Sequence, residues 1–249
     1  MQTPENEDPS DDFGAIKSAR RALRPRDAAT LIILRRNMAE TRVLMGKRHA
    51  GHAFMPNKYV FPGGRVDAAD ARLTVAADLH PEVARKLLAR MRGKPSLARA
   101  RGLGLAAVRE TFEEVGLIVG RPVGSPRMSR SSSWKPFFET GYEPDLSGLR
   151  FFARAITPPG RPRRFDTRFF TLDASAVVNA DQPIRSTSQE LLDPYWVTFR
   201  EATELDLPSI TKDILKRLAQ ALEVEAAMSP GAPLTFQYYR GSKWRIEEL

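Results

Sequence analysis

Residues 105–117 read LAAVRETFEEVGL, and this stretch is the most informative in the chain. Its apolar residues recur at helical spacing, and Gly116 is suited to end a helix. On that helix Glu110, Glu113 and Glu114 occupy positions i, i+3 and i+4, so the three carboxylates share one face. Like charges this close repel one another unless a cation lies among them.

The acidic face of this helix has two interpretations. A divalent cation would neutralise it, because hard cations prefer carboxylate oxygens. Arg109 precedes the cluster and could orient one carboxylate with its planar guanidinium group. The alternative is a solvated acidic helix face, which is a common feature of proteins.

The composition limits the kinds of site that the chain can build. It has 249 residues, no cysteine and three histidines, His49, His52 and His80. This composition excludes a disulfide scaffold, thiolate metal sites and cysteine catalysis. A metal site must therefore rest mainly on carboxylates, which favours Mg²⁺ or Mn²⁺. With 42% hydrophobic and 28% charged residues, the chain is typical of globular proteins with one large domain or two small ones.

The first residues do not have the pattern of a targeting peptide. Five acidic residues precede a basic stretch within residues 1–26, whereas a secretory signal needs a positive start and an apolar run. We therefore predict a mobile tail over residues 1–26 and, by default, a cytoplasmic protein. The longest uncharged run, residues 226–239, contains two prolines and is too short to span a bilayer, so no membrane partner is expected.

Hydrophobic periodicity predicts a mixed sheet with helices on its faces. Residues 28–34 and 42–47 are a candidate hairpin, and a short strand at residues 59–61 ends at Pro62-Gly63-Gly64. The remaining predicted elements are helices at residues 81–91, 105–116 and 209–221, and strands at 149–156, 164–172, 195–199 and 235–239. No composition break divides the chain, so we expect one domain with an insertion.

The glutamate helix resembles the second half of the Nudix box, G-x5-E-x7-R-E-U-x-E-E-x-G-U with U apolar. The match runs from Arg109 to Leu117, and Thr111 is the one departure, at an apolar position. The first half is found upstream, where Gly64 is followed after five residues by Asp70 in place of glutamate. Because 38 residues rather than seven separate Asp70 from Arg109, the box resembles one split by an insertion of 31 residues.

This split arrangement resembles the Nudix subgroup that includes the peroxisomal coenzyme A diphosphatases. Residues 59–70, 155–158, 164–170 and 190–202 are also similar to this subgroup, and the resemblance spans roughly residues 27–225. It implies an α/β (α+β) Nudix fold, in which a mixed sheet lies between helices. It also implies hydrolysis, dependent on Mg²⁺ or Mn²⁺, of a nucleoside diphosphate linked to another moiety, with coenzyme A or acyl-coenzyme A as the first guess.

The resemblance also sets the expected organisation of the chain. A Nudix domain is expected over residues 27–249, after the tail of residues 1–26. Within it, a basic helical insertion is expected at residues 71–101, and a C-terminal helix and tail at residues 204–249.

The metal ligands expected from this resemblance are Glu110, Glu113 and Glu114, with Asp70 as a fourth. Arg109 is expected to orient them and is counted with the catalytic residues. The side chain of Asp70 is one carbon shorter than the usual glutamate and so reaches less far.

Three further residues are expected to contact substrate or water. Gly63 and Gly64 would let the backbone approach the ligand, although a tight turn after a strand is the alternative. Glu190 is the first candidate for the general base, because Nudix enzymes often recruit a carboxylate from a later loop. An exposed loop glutamate is the alternative for Glu190.

The excess charge of +9 is concentrated in two groups of basic residues. The group at residues 85–101 contains no acidic residue and either binds a polyanionic substrate group or forms a solvated helix face. The second group is open to the same two interpretations. Arg164 in this group is an expected substrate-binding residue. Asp166 lies within it and could pair with Arg164 or Arg168. The members of the two groups are Arg85, Lys86, Arg90, Arg92, Lys94, Arg99 and Arg101, and Arg161, Arg163, Arg164 and Arg168.

The expected partner is therefore an anionic small-molecule diphosphate. The pI of about 10.1 keeps nucleic acid as an alternative, but the sequence has no recognised DNA-binding or RNA-binding module. Two other functions stay open: a Nudix-fold protein that has lost catalysis and senses a nucleotide or RNA, and an RNA-processing Nudix enzyme. A homodimer is compatible with the sequence.

Overall fold

The computed structural model describes residues 23–37, 40–51, 55–124, 129 and 131–249. Residues 1–22 of the predicted tail, and His52, lie outside the described residues. The strands are β1 (Arg26–Arg36), β2 (Thr41–Arg48), β3 (Tyr59–Val60), β4 (Gly63–Arg65), β5 (Gly120–Pro122), β6 (Tyr142–Pro144), β7 (Arg150–Ile156), β8 (Phe165–Asp173), β9 (Leu191–Thr198), β10 (Thr235–Arg240) and β11 (Lys243–Glu248). The helices are α1 (Pro81–Leu88), α2 (Leu97–Val115), α3 (Lys135–Glu139), α4 (Phe199–Thr203) and α5 (Ser209–Leu222).

Nine of the described strands form one mixed sheet. Its main path runs β11-β10-β7-β8-β1-β2-β3, while β4 pairs with β1 and β9 pairs with β2. The β1–β8 and β7–β10 pairs are parallel, and the others are antiparallel. The remaining two strands, β5 and β6, pair separately.

Helices cover both faces of the sheet because the central strand β1 is apolar on both sides. Leu31 and Ile33 lie in a core with residues of α1, α2 and α3. Ile32 and Leu34 point the other way, into a core with residues of α4 and α5. Alternate side chains of a strand face opposite sides of the sheet, so an apolar run such as this one needs both layers. The expected mixed sheet between helices is confirmed.

Helix α2 begins at Leu97, eight residues before the predicted start at Leu105. Ser96 precedes it in an extended conformation, and its side-chain oxygen accepts a hydrogen bond from the Arg99 amide. The predicted insertion at residues 71–101 therefore overlaps the first turns of the glutamate helix. It also contains α1, and its first two residues belong to the short 3₁₀ turn Asp70–Arg72.

The helix predicted at residues 209–221 and the strand predicted at residues 235–239 are present as α5 and β10, and one further strand follows them. After α5, strands β10 and β11 form a hairpin that extends the main sheet beside β7. Residues 243–248 read KWRIEE, and charged residues are common in edge strands. Because the stretch does not alternate clearly between apolar and polar residues, hydrophobic periodicity did not predict this strand. Pro62-Gly63-Gly64 was predicted to end a strand, but Gly63–Arg65 forms a further strand, β4, paired with β1. None of the described helices is long and apolar enough to cross a membrane.

Three of the seven basic residues at 85–101 contact groups outside the insertion, and two others pair within it. Side-chain ion pairs join Arg85 to Glu82, Arg90 to Glu247, Arg99 to Asp27 and Arg101 to Asp78, and the Lys86 ammonium donates to the Ala232 carbonyl. Part of this charge therefore attaches the insertion to β1, to β11 and to the segment before β10.

Candidate active site

The glutamate face of α2 lies directly against the backbone of β4. A Cβ atom added to Gly64 would lie 2.4 Å from Cδ of Glu110 and 2.5 Å from each of its carboxylate oxygens. Real Cβ atoms do not approach other heavy atoms this closely. Gly64 is therefore required for the Glu110 carboxylate to pack against the strand.

The neighbouring glycine holds the last carboxylate of the motif. The Gly63 amide donates a 2.9 Å hydrogen bond to Oε2 of Glu114. A Cβ at Gly63 would lie 2.5 Å from the carbonyl oxygen of Ala29 on β1, so this position also needs a glycine. The two glycines thus contact the glutamates themselves, in addition to the substrate contact that the sequence predicts for them.

Arg109 connects the other two glutamates. Its Nη1 donates a 2.9 Å hydrogen bond to Oε2 of Glu113, and its Nη2 lies 3.0 Å from Oε1 of Glu110. Burial of this side chain, which is 5% exposed, opposes its charge, but the hydrogen bond to Asp70 and the three carboxylates raise the pKa of Arg109 above its usual value. This geometry fits the orienting role expected for Arg109.

The structure gives Asp70 a different position from the one expected of a metal ligand. Its carboxylate is fully buried and accepts four hydrogen bonds, two from Arg109 (3.0 and 3.2 Å), one from the Trp134 indole (2.9 Å) and one from the Asp67 amide (2.7 Å). A carboxylate offers about four lone-pair positions, so these donors occupy it. Asp70 therefore fixes the position of the Arg109 guanidinium group. This geometry opposes direct contact between the Asp70 carboxylate and a metal ion.

The three glutamates are poised to bind a positive charge. Burial, together with the negative charges of Glu113 and Glu190, raises the pKa of Glu110 to about 7, although Arg109 opposes this shift. Burial and the charges of Glu110 and Glu190 raise the pKa of Glu114 to about 8, against the lowering effect of the Gly63 amide. The pKa of Glu113 is also raised, mainly by burial. A cation bound among them would remove this penalty.

Arg48 belongs to this site, although the sequence analysis did not identify it. It ends β2, and burial lowers the pKa of its guanidinium group while the charges of Glu114, Glu190 and Glu110 raise it. Pairing of β2 with β9 places Arg48 opposite Leu191, which is the residue that follows Glu190 in the chain. An arginine at the end of a strand gives no signal in a single sequence, because only the strand pairing brings it to the glutamates.

The loop that carries Glu190 is attached to the C-terminal end of α2. The Thr187 amide donates to the Glu114 carbonyl (3.0 Å), and the Thr187 hydroxyl donates to the Glu113 carbonyl (2.7 Å). Carbonyls of the last helical turn have no partner within the helix, so these bonds stabilise the helix end and the loop together. The charge of Glu190 contributes to the raised pKa values of all three glutamates.

Arg164 of the second basic group and the nearby Asp166 both contact other parts of the fold. Arg164 donates to the carbonyls of Thr157 (2.9 Å) and Leu23 (2.7 Å), where β8 begins, so its expected contact with substrate stays a prediction. Asp166 is fully buried and forms a two-point ion pair with Arg154 (2.7 and 2.8 Å). It also lies 3.2 Å from Arg168, so one of the two predicted partners is present.

The donor set suits a hard divalent cation, although its side chains are not arranged as a complete cage. Within the residues that the structure describes, no three acidic or histidine side chains have the spacing of a full ligand set. Glu113 points toward Arg109, and a rotation about its side-chain bonds would turn it to a metal ion. Carboxylates with raised pKa values gain most from a nearby cation, and oxygen donors select Mg²⁺ or Mn²⁺ over softer metals.

Comparisons with known proteins agree with this fold and motif. No family model matches the chain. It is 29% identical over 190 residues to the putative nudix hydrolase 7 of Caenorhabditis elegans, covering 72% of this chain and 53% of that protein. It is 24% identical over 214 residues to the acyl-coenzyme A diphosphatase NUDT19 of Xenopus laevis, covering 68% and 55%. The chain thus spans about half the length of these curated relatives.

A solved structure covers more of the chain. The crystal structure of a NUDIX hydrolase from Alicyclobacillus acidocaldarius superimposes with a TM-score of 0.63 at 27% identity, over 84% of this chain and 97% of that one. The shared fold and the split motif on β4 and α2 define a Nudix-type site. The chain is therefore similar to Nudix hydrolases in its fold and in its split motif.

Proposed function

We propose that this chain is a diphosphatase, dependent on Mg²⁺ or Mn²⁺, that cleaves a nucleoside diphosphate linked to another moiety. The observation that carries the proposal is the arrangement around Arg109. Arg109 contacts Glu110 and Glu113, and the Gly63 amide donates to Glu114. One partly buried helix face therefore presents three carboxylates whose raised pKa values favour a bound cation.

Each residue of the site has a separate proposed role in the hydrolysis. Bound divalent cations would neutralise the diphosphate and polarise the phosphoryl group that is attacked. Glu110, Glu113 and Glu114 would hold these cations, and Arg109 would keep the first two glutamates in place. Glu190 would accept a proton from the attacking water, because its charge acts on the cluster from a separate loop. Water adds across the P–O–P bridge, so each product carries a terminal phosphate.

Arg48 extends the proposed mechanism to the substrate. In the structure its charge is balanced by carboxylates of the site. Its planar guanidinium fork is suited to contact a phosphate oxygen of the substrate, and this is the role that we propose for it.

Coenzyme A or an acyl-coenzyme A is the proposed first substrate. Two observations support this choice: the split motif, and the similarity to proteins described as acyl-coenzyme A diphosphatases in Xenopus laevis and Gallus gallus. The alternative of an inactive nucleotide sensor rested partly on aspartate at position 70. That argument weakens because Asp70 still holds Arg109 through two hydrogen bonds.

A substrate panel tests the proposal. The protein is incubated with Mg²⁺ or Mn²⁺ and, separately, with coenzyme A, an acyl-coenzyme A, ADP-ribose, a dinucleoside polyphosphate and a nucleoside triphosphate, and products are identified by mass spectrometry. We expect adenosine 3′,5′-bisphosphate and a phosphopantetheine product from the coenzyme A compounds. Preferential cleavage of another diphosphate would change the substrate, and hydrolysis of none under either metal would contradict the proposed activity.

A further inference from the structure

Trp134, which lies outside both halves of the motif, joins the hydrogen bonds around Arg109. Trp134 precedes the short helix α3 and is 0% exposed. Its ring packs edge-on against Phe137, with ring centroids 5.5 Å apart, and Phe137 in turn contacts Phe112 of the glutamate helix at 5.2 Å. This aromatic cluster places the indole N–H beside the site from a part of the chain that no motif marks.

A continuous series of hydrogen bonds leads from this indole to the glutamates. Trp134 Nε1 donates to Oδ1 of Asp70 at 2.9 Å, and the same oxygen accepts from Nε of Arg109 at 3.0 Å. The other end of the Arg109 guanidinium group contacts Glu113 and Glu110. Two side chains therefore separate the indole from the carboxylates expected to bind the metal.

The chemistry of the indole suits it to this position. An indole N–H donates and never accepts, so it fixes the direction of one Asp70 oxygen. Asp70 is fully buried, and without the indole one of its oxygens would keep a lone pair with no compensating donor. Partners of this kind orient metal ligands in other proteins and are important for metal affinity.

We propose that Trp134 is a positioning residue, whose indole N–H holds Asp70, and through it Arg109, in the orientation that presents Glu110 and Glu113 to the divalent cation. The proposal rests on the proposed metal-dependent function. It also explains how aspartate replaces the longer glutamate at position 70, because the indole and the Asp67 amide fix the shorter side chain against Arg109.

Binding of Mn²⁺ alone to the full chain tests this role without any substrate. Trp134→Phe keeps an aromatic ring in the cluster and removes the donor. We expect its affinity for Mn²⁺, measured by the electron paramagnetic resonance signal of the free ion, to fall by roughly 10-fold or more. Trp244→Phe makes the same chemical change in β11, where the ring packs on Tyr239, and should leave the affinity unchanged.

A second control separates positioning from simple loss of packing. Phe138→Leu removes ring volume from the same aromatic cluster but no donor to Asp70. It should lower the melting temperature while leaving Mn²⁺ affinity within about 2-fold of the wild type. An equal loss of affinity in Phe138→Leu and Trp134→Phe would show that only packing matters, and would overturn the proposal.

Indole NMR signals of the wild-type chain provide a readout that does not require a folded Trp134 variant. The chain has three tryptophans, so ¹⁵N-labelled indoles give three signals, which are assigned with Trp196→Phe and Trp244→Phe. Addition of Mg²⁺ should shift the Trp134 signal and leave the Trp244 signal in place. An unmoved Trp134 signal at saturating Mg²⁺ would contradict the coupling.

The outcomes also distinguish this inference from the proposed function. If the wild-type chain binds neither Mn²⁺ nor Mg²⁺, the proposed metal-dependent function fails. If the wild type binds Mn²⁺ and a folded Trp134→Phe variant binds it equally well, the proposed function stands and the role of Trp134 is wrong.

Discussion

The backbone amide of Gly63 donates a 2.9 Å hydrogen bond to the Glu114 carboxylate, so the first half of the split motif directly contacts the second. The two residues are 51 positions apart in the chain. Pairing of β4 with β1 brings them together, because α2 packs on the same face of β1. The insertion between the two halves therefore leaves the geometry of the site intact.

Replacement of Glu114 by glutamine tests the metal-ligand assignment. The amide keeps the size of the side chain but cannot carry the charge that would bind the cation. We expect kcat/KM to fall by more than about 100-fold. The melting temperature of the metal-free variant should be no lower than that of the wild type, because a buried carboxyl group is replaced by a neutral one. An unchanged hydrolysis rate would remove Glu114 from the metal site.

The contact between Gly64 and Glu110 predicts a strong effect of a single methyl group. In Gly64→Ala the new Cβ would lie 2.4 Å from Cδ of Glu110, so the carboxylate must move. We expect weaker Mn²⁺ binding, by about 10-fold or more, and a similar loss of activity. Gly231→Ala is the matched control, because its Cβ would meet none of the residues that the structure describes within 4 Å. Equal behaviour of the two variants would contradict the close packing of Glu110 on β4.

The raised pKa values of Glu110 and Glu114 predict how stability depends on pH. These groups have pKa values of about 7 and 8 in the folded protein, against 4.5 in the unfolded chain. The folded state therefore binds more protons between these limits, and the free energy of unfolding falls as the pH rises from about 4.5 to 8. In the presence of a chelator the melting temperature should fall across this window by about 5 °C.

Two controls accompany this measurement. Glu114→Gln should flatten the pH dependence, because the group with the higher pKa has been removed. Saturating Mg²⁺ should reverse the loss of stability at pH 8, since bound cations favour the ionised carboxylates. A melting temperature of the metal-free wild type that rises from pH 5 to 8 would show that these carboxyl groups do not have raised pKa values.

The Thr187 hydroxyl predicts a selective effect on turnover. Thr187→Val keeps the shape of the side chain but removes the hydrogen bond to the Glu113 carbonyl, so the loop carrying Glu190 loses one attachment to α2. We expect kcat to fall by about 10-fold while Mn²⁺ affinity is unchanged, and Thr187→Ser to recover most of the rate. In a Glu190→Gln background the valine substitution should have little further effect. Additive losses would separate Thr187 from Glu190.

The sequence predicted the elements whose signals are local. The apolar run of β1 indicates a strand buried on both faces, and the spacing of Glu110, Glu113 and Glu114 indicates a helix with an acidic face. The C-terminal hairpin was not predicted in full, because the charged residues of β11 give no clear alternation. The start of α2 was misplaced because Ser96 lies in a stretch that reads as basic insertion rather than helix.

The parts of the site that the sequence did not predict depend on contacts between distant segments. Asp70 was expected among the metal ligands, but its role follows from the positions of Arg109 and Trp134, which lie 39 and 64 residues away. Arg48 was missed because only the pairing of β2 with β9 brings it to the glutamates. Residue type and spacing indicate which groups bind a metal, whereas the tertiary fold determines which groups hold them in place.

The rate of coenzyme A hydrolysis as a function of Mn²⁺ concentration, measured side by side for the wild type and Glu114→Gln, tests the central claim most directly. We predict that the wild-type rate rises from baseline and saturates with Mn²⁺, and that the glutamine variant stays near baseline while remaining folded. A wild-type rate that does not depend on Mn²⁺ or Mg²⁺, or a glutamine variant with the wild-type metal dependence, would contradict a carboxylate metal site on α2.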